Sequence, residues 1–188
     1  MSEQFALFDT IPSGPEGLRS IDGFVTPAVE RELISQVAAL PLRPFQFGAF
    51  EGKRRVASFG FRYDYQLQKL TEAEPIPPWL REIAVRVEAF GGQGTAIAQV
   101  LCTVYDTGVG IGWHRDKPHF GRVFGLSLGS PCLLRFRRKT GETWERYVLE
   151  ARPRSLYEMD GPARRAWEHS IHSVDAPRTS ITFRTMAD

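Results

Sequence analysis

Several features that define other classes of protein are scarce in this sequence. Its two cysteines, Cys102 and Cys132, are not spaced as a metal pair and lie in apolar runs, so we expect buried free thiols rather than disulfides or a thiolate metal site. The net charge of +2 is too small to indicate nucleic-acid binding by itself, so that argument depends on local clusters. No apolar run approaches membrane-spanning length and the N-terminus lacks a secretory pattern, so we expect a cytoplasmic protein without a membrane partner.

The length of the chain predicts one domain over residues 1–188, with a sizeable core. Residues 1–25 are rich in proline and glycine at their centre and are predicted to be an N-terminal arm. A helix is predicted to begin after Thr26, which can cap it, with Pro27 in the first turn. A second helix is predicted over residues 78–90, where apolar residues recur at helical spacing before a Gly-Gly pair.

Short β-branched and aromatic runs separated by turn residues occupy the rest of the chain from residue 96 onward. Strands at this spacing, with no helical pattern between them, favour an antiparallel sandwich or jelly roll. We therefore predict a mainly β fold with flanking helices and a sandwich or jelly-roll core over residues 96–187.

The run Gly-Trp-His-Arg-Asp places His114 and Asp116 two residues apart. In an extended segment, residues two apart point to the same side, so both side chains can reach one metal ion. By itself this pair is weak evidence for a metal site, because a surface turn that carries a hydrogen-bonded imidazole is the commoner case.

Two later histidines, His169 and His172, offer a third metal ligand. If this segment is a strand, His169 shares an inward face with Trp167 and Ile171, whereas His172 points the other way. A lone inward histidine is most often a core residue. With His114 and Asp116, however, it completes the two-histidine, one-carboxylate triad of non-haem iron oxygenases. We favour His169 and keep His172 as the alternative.

The final strand carries Arg178, Ser180, Thr182 and Arg184 on one face and apolar residues on the other. On an enclosed inner face, two guanidinium groups require anionic partners, because an unpaired buried charge is very costly. A short dicarboxylic acid, or two separate acidic partners, would satisfy that requirement. The alternative is an exposed edge strand with solvated arginines.

Together these features resemble the AlkB family of iron(II)- and 2-oxoglutarate-dependent dioxygenases. His-x-Asp, a later aromatic-x-His-Ser-Ile and two arginines six residues apart around Ser-Ile-Thr-Phe follow the family motif in order. Tyr105 stands nine residues before His114, as in the family, and LSLGSP at residues 126–131 is similar to a family strand. The resemblance covers about residues 100–186, and the combined motif is far more specific than its parts.

The resemblance implies a double-stranded β-helix and iron(II) bound by His114, Asp116 and His169. It also implies 2-oxoglutarate and dioxygen as cosubstrates, oxidation of a carbon attached to nitrogen, and release of succinate, carbon dioxide and an aldehyde. The residues implied in 2-oxoglutarate binding are Arg178, Ser180 and Tyr105 at the distal carboxylate, Arg184 near the metal-chelating end, and Thr103. Thr103 replaces the usual asparagine, and Pro118 stands where some repair members have an acidic base-reading residue.

A basic and aromatic stretch indicates the substrate. Lys53, Arg54 and Arg55 precede Tyr63 and Tyr65, and cations of this kind contact phosphates while rings stack on an extruded base. In the resembling family this region, here residues 45–70, is a nucleotide-recognition lid. The alternative is a solvated basic turn leading into a core strand. Trp113 is a further predicted substrate contact, and a second basic cluster at residues 135–139 either lines a phosphate path or caps a hairpin.

The leading hypothesis is an oxidative dealkylase that acts on DNA or RNA bases, with a monomer expected. A protein-directed hydroxylase or demethylase with the same iron centre is the first alternative, which Pro118 makes harder to dismiss. The second alternative is a non-catalytic nucleic-acid-binding jelly roll, although a mere binding module has no need of a clamp for a dicarboxylate.

Overall fold

Thirteen strands and three helices are formed by residues 14–47 and 49–187, the part of the chain that the computed structural model describes. The helices are α1 (Pro27–Ala38), α2 (Pro78–Gly91) and α3 (Gly161–Arg165). The strands are β1 (Leu18–Ile21), β2 (Arg43–Phe47), β3 (Phe50–Phe59), β4 (Phe61–Asp64), β5 (Lys69–Glu72), β6 (Gln99–Tyr105), β7 (Ile111–His114), β8 (Phe120–Leu128), β9 (Cys132–Thr140), β10 (Thr143–Ala151), β11 (Leu156–Met159), β12 (Glu168–Ile171) and β13 (Arg178–Met186).

Both predicted helices are confirmed. The Thr26 hydroxyl accepts the N–H of Val29 at the start of α1, and Pro27 occupies the first turn. In α2 the buried residues recur every three or four positions: Leu80, Ile83, Ala84 and Val87. The helix ends at Gly91, and Gly92 has a φ of 83°, a left-handed value that glycine adopts without strain.

The strands form two large antiparallel sheets, as expected for a jelly roll. The seven-stranded sheet has the order β1-β11-β8-β13-β6-β3-β2, and the four-stranded sheet has the order β10-β9-β12-β7. Strands β4 and β5 pair separately. The mainly β prediction with flanking helices is therefore confirmed.

Two apolar clusters hold these layers together. In one, residues of α1 and α2 such as Val37 and Val87 pack with Val100 and Phe183 of the seven-stranded sheet. In the other, residues from both sheets meet, with Phe136 of β9 among them. Burial of this apolar surface drives the packing, and it places the inner faces of the two sheets opposite each other.

Three segments differ from the sequence prediction. Leu18–Ile21, expected in the N-terminal arm, forms edge strand β1 against β11, while residues 1–13 of that arm lie outside the described residues. A short helix, α3, interrupts the all-strand region, with Asp160 as its N-cap and Pro162 in its first turn. Strand β3, within the predicted lid, pairs with β6 as part of the seven-stranded sheet.

No helix in residues 14–47 or 49–187 combines the length and the apolar character needed to cross a membrane.

Candidate active site

The first element of the site is a cluster of two imidazoles and one carboxylate on the four-stranded sheet. His114 ends β7 and stands directly opposite His169 of β12, with 4.3 Å between the ring centres. Asp116 follows in the loop after β7. The ligand atoms of these three residues all lie within 4.8 Å of one another, close enough to share one metal ion.

His172, the alternative ligand, lies away from this cluster. It is exposed after the end of β12, and its Nδ1 is 3.1 Å from the carbonyl oxygen of Ser173. His169 is 8% exposed and faces the interior. The strand alternation therefore brings together the three residues that the sequence favoured.

Arg184 holds the carboxylate of Asp116 in its charged form. Burial alone would raise the pKa of Asp116, but Arg184, whose Nη2 donates to Oδ1 at 3.0 Å, and the nearby imidazoles hold the pKa below its ordinary range. The other oxygen, Oδ2, is 3.9 Å from His169 Nε2. One oxygen is thus engaged by the arginine, and the other faces the histidines.

Burial, followed by the effect of His114, lowers the pKa of His169 to about 3. The imidazole is therefore neutral near pH 7, and its contact with Asp116 is not an ion pair. A neutral imidazole offers a nitrogen lone pair to a metal. Two histidines and one ionised carboxylate are the donor set that iron(II) takes in non-haem oxygenases, so these residues fit the metal.

Arg178 is the second charged group of the inner face, on β13. It is 1% exposed, and its Nε and Nη2 donate to the hydroxyl of Ser127 at 3.3 and 3.2 Å. The guanidinium also lies 5.1 Å from the ring centre of Tyr105, its neighbour in register on β6. Ser180 and Thr103, paired across the same two strands, are buried beside it.

Two buried donor atoms remain unsatisfied by the described residues: Arg178 Nη1 and Arg184 Nε. Buried donors in native proteins are nearly always paired, so each is evidence for an absent acceptor. The two arginines lie on one face of β13, where a dicarboxylate supplies an acceptor at each end. This arrangement fits 2-oxoglutarate and excludes the alternative of an exposed edge strand, since both side chains are buried.

Several residues of the site were missed by the sequence reasoning. Gln99 accepts from Arg184 Nη1 at 2.7 Å, and Ser127 accepts from Arg178. Tyr157 packs over Gly125, where a Cβ would lie 2.1 Å from the tyrosine ring. The alternation of inward and outward residues along the strands could have indicated that Gln99, Ser127 and Tyr157 point inward. It does not identify which partner each of them contacts.

Arg164 of α3 fixes the loop that carries Asp116. Its guanidinium donates to the carbonyl oxygens of Asp116, Lys117, Phe120 and Gly121 at 2.7 to 3.3 Å. These bonds hold the loop backbone against α3 and so position Asp116. No sequence signal distinguished Arg164, because the contact depends on the unpredicted helix.

A cavity of about 1330 Å³ leads from the cluster to the predicted lid. Its lining includes the three candidate ligands and five side chains at the mouth: Arg54, Tyr63, Tyr65, Trp113 and Lys117. The Arg54 guanidinium stacks 3.8 Å from the ring centre of Phe45. Burial lowers the pKa of Arg54.

Lys117 closes the mouth against the lid. Its ammonium lies 4.4 Å from the ring centre of Tyr63 and 4.8 Å from that of Tyr65. His119 lies 5.5 Å from Tyr63, measured between ring centres. The loop after Asp116 and strand β4 therefore meet over the cavity, and the negative faces of both tyrosines already have a cation.

Arg55, predicted with Arg54 as a substrate contact, is turned away from the cavity. Neighbours in a strand point to opposite sides, and Arg55 instead pairs with Asp106 at 3.2 Å on the exposed surface. Trp113 is at the rim of the cavity, with the guanidinium of Arg137 4.4 Å from its ring centre.

Comparison with known proteins identifies the family. The family model described as the 2OG-Fe(II) oxygenase superfamily matches residues 17–184. The chain belongs to this superfamily. Iron(II), 2-oxoglutarate and dioxygen are therefore its cofactor and cosubstrates, in agreement with the donor set and the two arginines.

Relatives within the 2OG-Fe(II) oxygenases confirm the AlkB resemblance. The chain is 27% identical over 196 residues to the alkylated DNA repair protein ALKBH8 homolog of Arabidopsis thaliana, covering 90% of this chain and 55% of that protein. It is 28% identical over 179 residues to the tRNA (carboxymethyluridine(34)-5-O)-methyltransferase ALKBH8 of Mus musculus, covering 90% of this chain and 26% of that protein. The chain thus spans about half or a quarter of the length of these relatives.

Solved structures match the fold at lower identity. OsALKBH1 superposes with a TM-score of 0.66 at 14% identity, covering 90% of this chain and 98% of that chain. A prolyl hydroxylase from Trichoplax adhaerens, in complex with a peptide fragment of hypoxia inducible factor, has a TM-score of 0.65 at 15% identity, covering 90% and 83%. Both support the jelly-roll assignment.

Proposed function

We propose that this 2OG-Fe(II) oxygenase removes methyl or alkyl groups oxidatively from bases of DNA or RNA. The observation that carries the proposal is the cavity, which connects the metal cluster to a mouth of stacked aromatic and cationic side chains. Aromatic faces suit an extruded base, and cations suit the phosphates on either side of it.

In this proposal His114, Asp116 and His169 hold iron(II). The bound iron supplies dioxygen activation, so that a substrate C–H bond is oxidised while 2-oxoglutarate becomes succinate and carbon dioxide. Arg178, with Ser180 and Tyr105, binds the distal carboxylate of 2-oxoglutarate. Three protein ligands leave other positions on the metal for the cosubstrates.

Arg184 has two roles in the same proposal. It keeps Asp116 ionised and oriented through the 3.0 Å contact with Oδ1, and its free Nε faces the end of the cosubstrate nearest the metal. Gln99 holds the guanidinium in place through the 2.7 Å bond from Nη1. Thr103 lies beside Ser180 and contributes a hydroxyl where relatives of the AlkB type usually have an amide.

At the mouth, Arg54, Tyr63, Tyr65 and Trp113 surround the base and exclude water from the metal side. Lys117 bears a positive charge there, and Pro118 stands where some repair members of the AlkB type have an acidic residue. The site therefore favours a neutral base over a positively charged one. The names of the Arabidopsis and mouse relatives refer to alkylated DNA repair and to tRNA, which supports a nucleic-acid substrate.

The decisive experiment measures formaldehyde and succinate released from methylated oligonucleotides in the presence of iron(II), ascorbate and 2-oxoglutarate. The panel holds DNA and RNA strands with neutral and with positively charged methylated bases. Asp116→Ala serves as the metal-site control. Formaldehyde release that depends on the oligonucleotide and is lost in Asp116→Ala is expected. Succinate release stimulated by methylated or proline-containing peptides, but by no oligonucleotide, would replace this proposal with the protein-directed one.

A further inference from the structure

The four-stranded sheet has a solvent-facing side that the proposed chemistry does not use. Alternation along β9 and β10 directs Leu133, Trp144 and Val148 outward, where they are 46%, 38% and 52% exposed. Exposed apolar side chains that are grouped, in place of being scattered singly, mark interaction sites on protein surfaces.

Arginines and tryptophans on this side are stacked together. The Arg137 guanidinium lies between two indoles, 4.4 Å from the ring centre of Trp113 and 4.6 Å from that of Trp144. Arg135 lies 5.2 Å from Trp113. When a guanidinium stacks on an aromatic ring, the N–H groups still point outward along the edge of the guanidinium plane. These are the groups that bind phosphate or carboxylate. We call Trp113, Arg135, Arg137, Trp144 and Arg146 the tryptophan–arginine face.

Positive charge on this face exceeds negative charge. Arg137 is paired with Glu168 at 2.7 Å, and Arg135 donates to the neutral hydroxyl of Ser170 at 3.1 Å. Arg146 stands directly opposite Arg137 in register, an arrangement of like charges that is unfavourable unless an anion bridges them. Within the described ranges, no carboxylate forms an ion pair with Arg135 or Arg146.

The tryptophan–arginine face is continuous with the active site. Trp113 belongs both to this face and to the rim of the cavity, and it precedes His114 in β7. Glu168 likewise precedes His169 in β12. Trp113 therefore connects the rim of the cavity to this face.

We propose that the tryptophan–arginine face binds the phosphate backbone of the nucleic-acid strand that flanks the target base. This inference rests on the proposed function and adds a second contact surface to it, outside the lid. The excess of cations selects a polyanion, and indoles beside them give a flanking base a surface on which to stack.

The test is the double variant Arg135→Gln/Arg146→Gln, which removes the two arginines without a carboxylate partner. The matched control, Arg31→Gln/Arg165→Gln, removes two exposed cations elsewhere and changes the net charge equally. Iron(II)-loaded protein with 2-oxoglutarate is kept anaerobic, and fluorescence anisotropy measures binding of a methylated 15-mer and of a methylated trinucleotide over a range of salt concentrations.

We expect the double variant to bind the 15-mer several-fold more weakly than the control does. Its salt dependence should flatten by about 1.4 in log–log slope, since each lost phosphate contact on a single strand contributes about 0.7. Anaerobic binding of the trinucleotide should stay unchanged, because it does not reach the face. Its turnover, measured separately in air, should also stay unchanged.

Equal 15-mer affinity and equal slope in both double variants would overturn the inference. So would a selective loss of binding to polyglutamate with the 15-mer unaffected, since the face would then serve an acidic protein partner. These results leave the proposed function intact if the wild type still oxidises oligonucleotides. A wild type that neither binds nor oxidises any of them overturns both proposals.

Discussion

Replacing Arg178 by lysine keeps the buried positive charge and removes the planar set of donors that the guanidinium provides. The side chain is 1% exposed, two of its nitrogens donate to Ser127, and Nη1 has no acceptor among the described residues. Lysine provides a single ammonium in place of a planar fork, so it cannot bind Ser127 and a carboxylate in the same paired manner. The distal carboxylate of 2-oxoglutarate should lose at least one charged hydrogen bond.

The size of the effect follows from that single loss. A hydrogen bond to a charged group contributes about 1.5–3 kcal/mol, and about 1.4 kcal/mol corresponds to a tenfold change in affinity. The dissociation constant for 2-oxoglutarate should therefore rise about 10- to 150-fold in Arg178→Lys. Arg178→Ala should show at least this loss, because it removes the charge as well.

Calorimetric titration of anaerobic, iron(II)-loaded protein with 2-oxoglutarate measures the constant directly, and thermal melting verifies that each variant is folded. Arg138→Lys is the matched control, since Arg138 pairs with Glu145 at 2.7 Å on the surface. Unchanged 2-oxoglutarate affinity in both Arg178 variants would refute the clamp and leave its unpaired Nη1 without an explanation.

Three further predictions test the metal site and the cavity mouth. His169→Ala should lose bound iron and succinate formation, whereas His172→Ala should keep both; the reverse pattern in iron content would transfer the ligand role to His172. Lys117→Gln removes the cation that lies against the rings of Tyr63 and Tyr65. Turnover of positively charged alkylated bases should therefore rise relative to neutral ones by the equivalent of about 0.5–2 kcal/mol, the value of a cation–π contact. An unchanged ratio would exclude Lys117 from base selection. Arg54→Gln should weaken oligonucleotide binding more than Arg55→Gln, because of the two only Arg54 faces the cavity; equal losses in anisotropy titrations would contradict this.

The sequence predicted the parts of the site that depend on local periodicity. Alternation in extended segments separated His169 from His172, and it put Arg178 and Arg184 on one face of β13. These inferences needed only the direction of each side chain relative to its neighbours. The helices were predicted for a similar reason, since capping and apolar spacing are local features.

The contacts that orient those side chains depend on tertiary structure and were not predicted. Arg164 clamps the Asp116 loop from a five-residue helix, and Ser127 reaches Arg178 from a neighbouring strand. The sequence reasoning also missed that the side chains of Arg54 and Arg55 point to opposite sides of the sheet, for another reason. The basic run was treated as one surface, although β3 is an integral strand that turns its successive residues to opposite sides.

The site is divided between the two sheets, so binding of iron and 2-oxoglutarate there is linked to the stability of the fold. The candidate iron ligands belong to the four-stranded sheet and the loop after β7, whereas Arg178 and Arg184 belong to the seven-stranded sheet. The 3.0 Å contact between Arg184 and Asp116 joins the two sides across the interior. On the proposed assignment, iron and 2-oxoglutarate bound together would form a reversible cross-link between the sheets. Ligands that bind only the native state raise its stability in proportion to the logarithm of their concentration. We therefore expect protein loaded with both to resist unfolding and proteolysis better than protein without them.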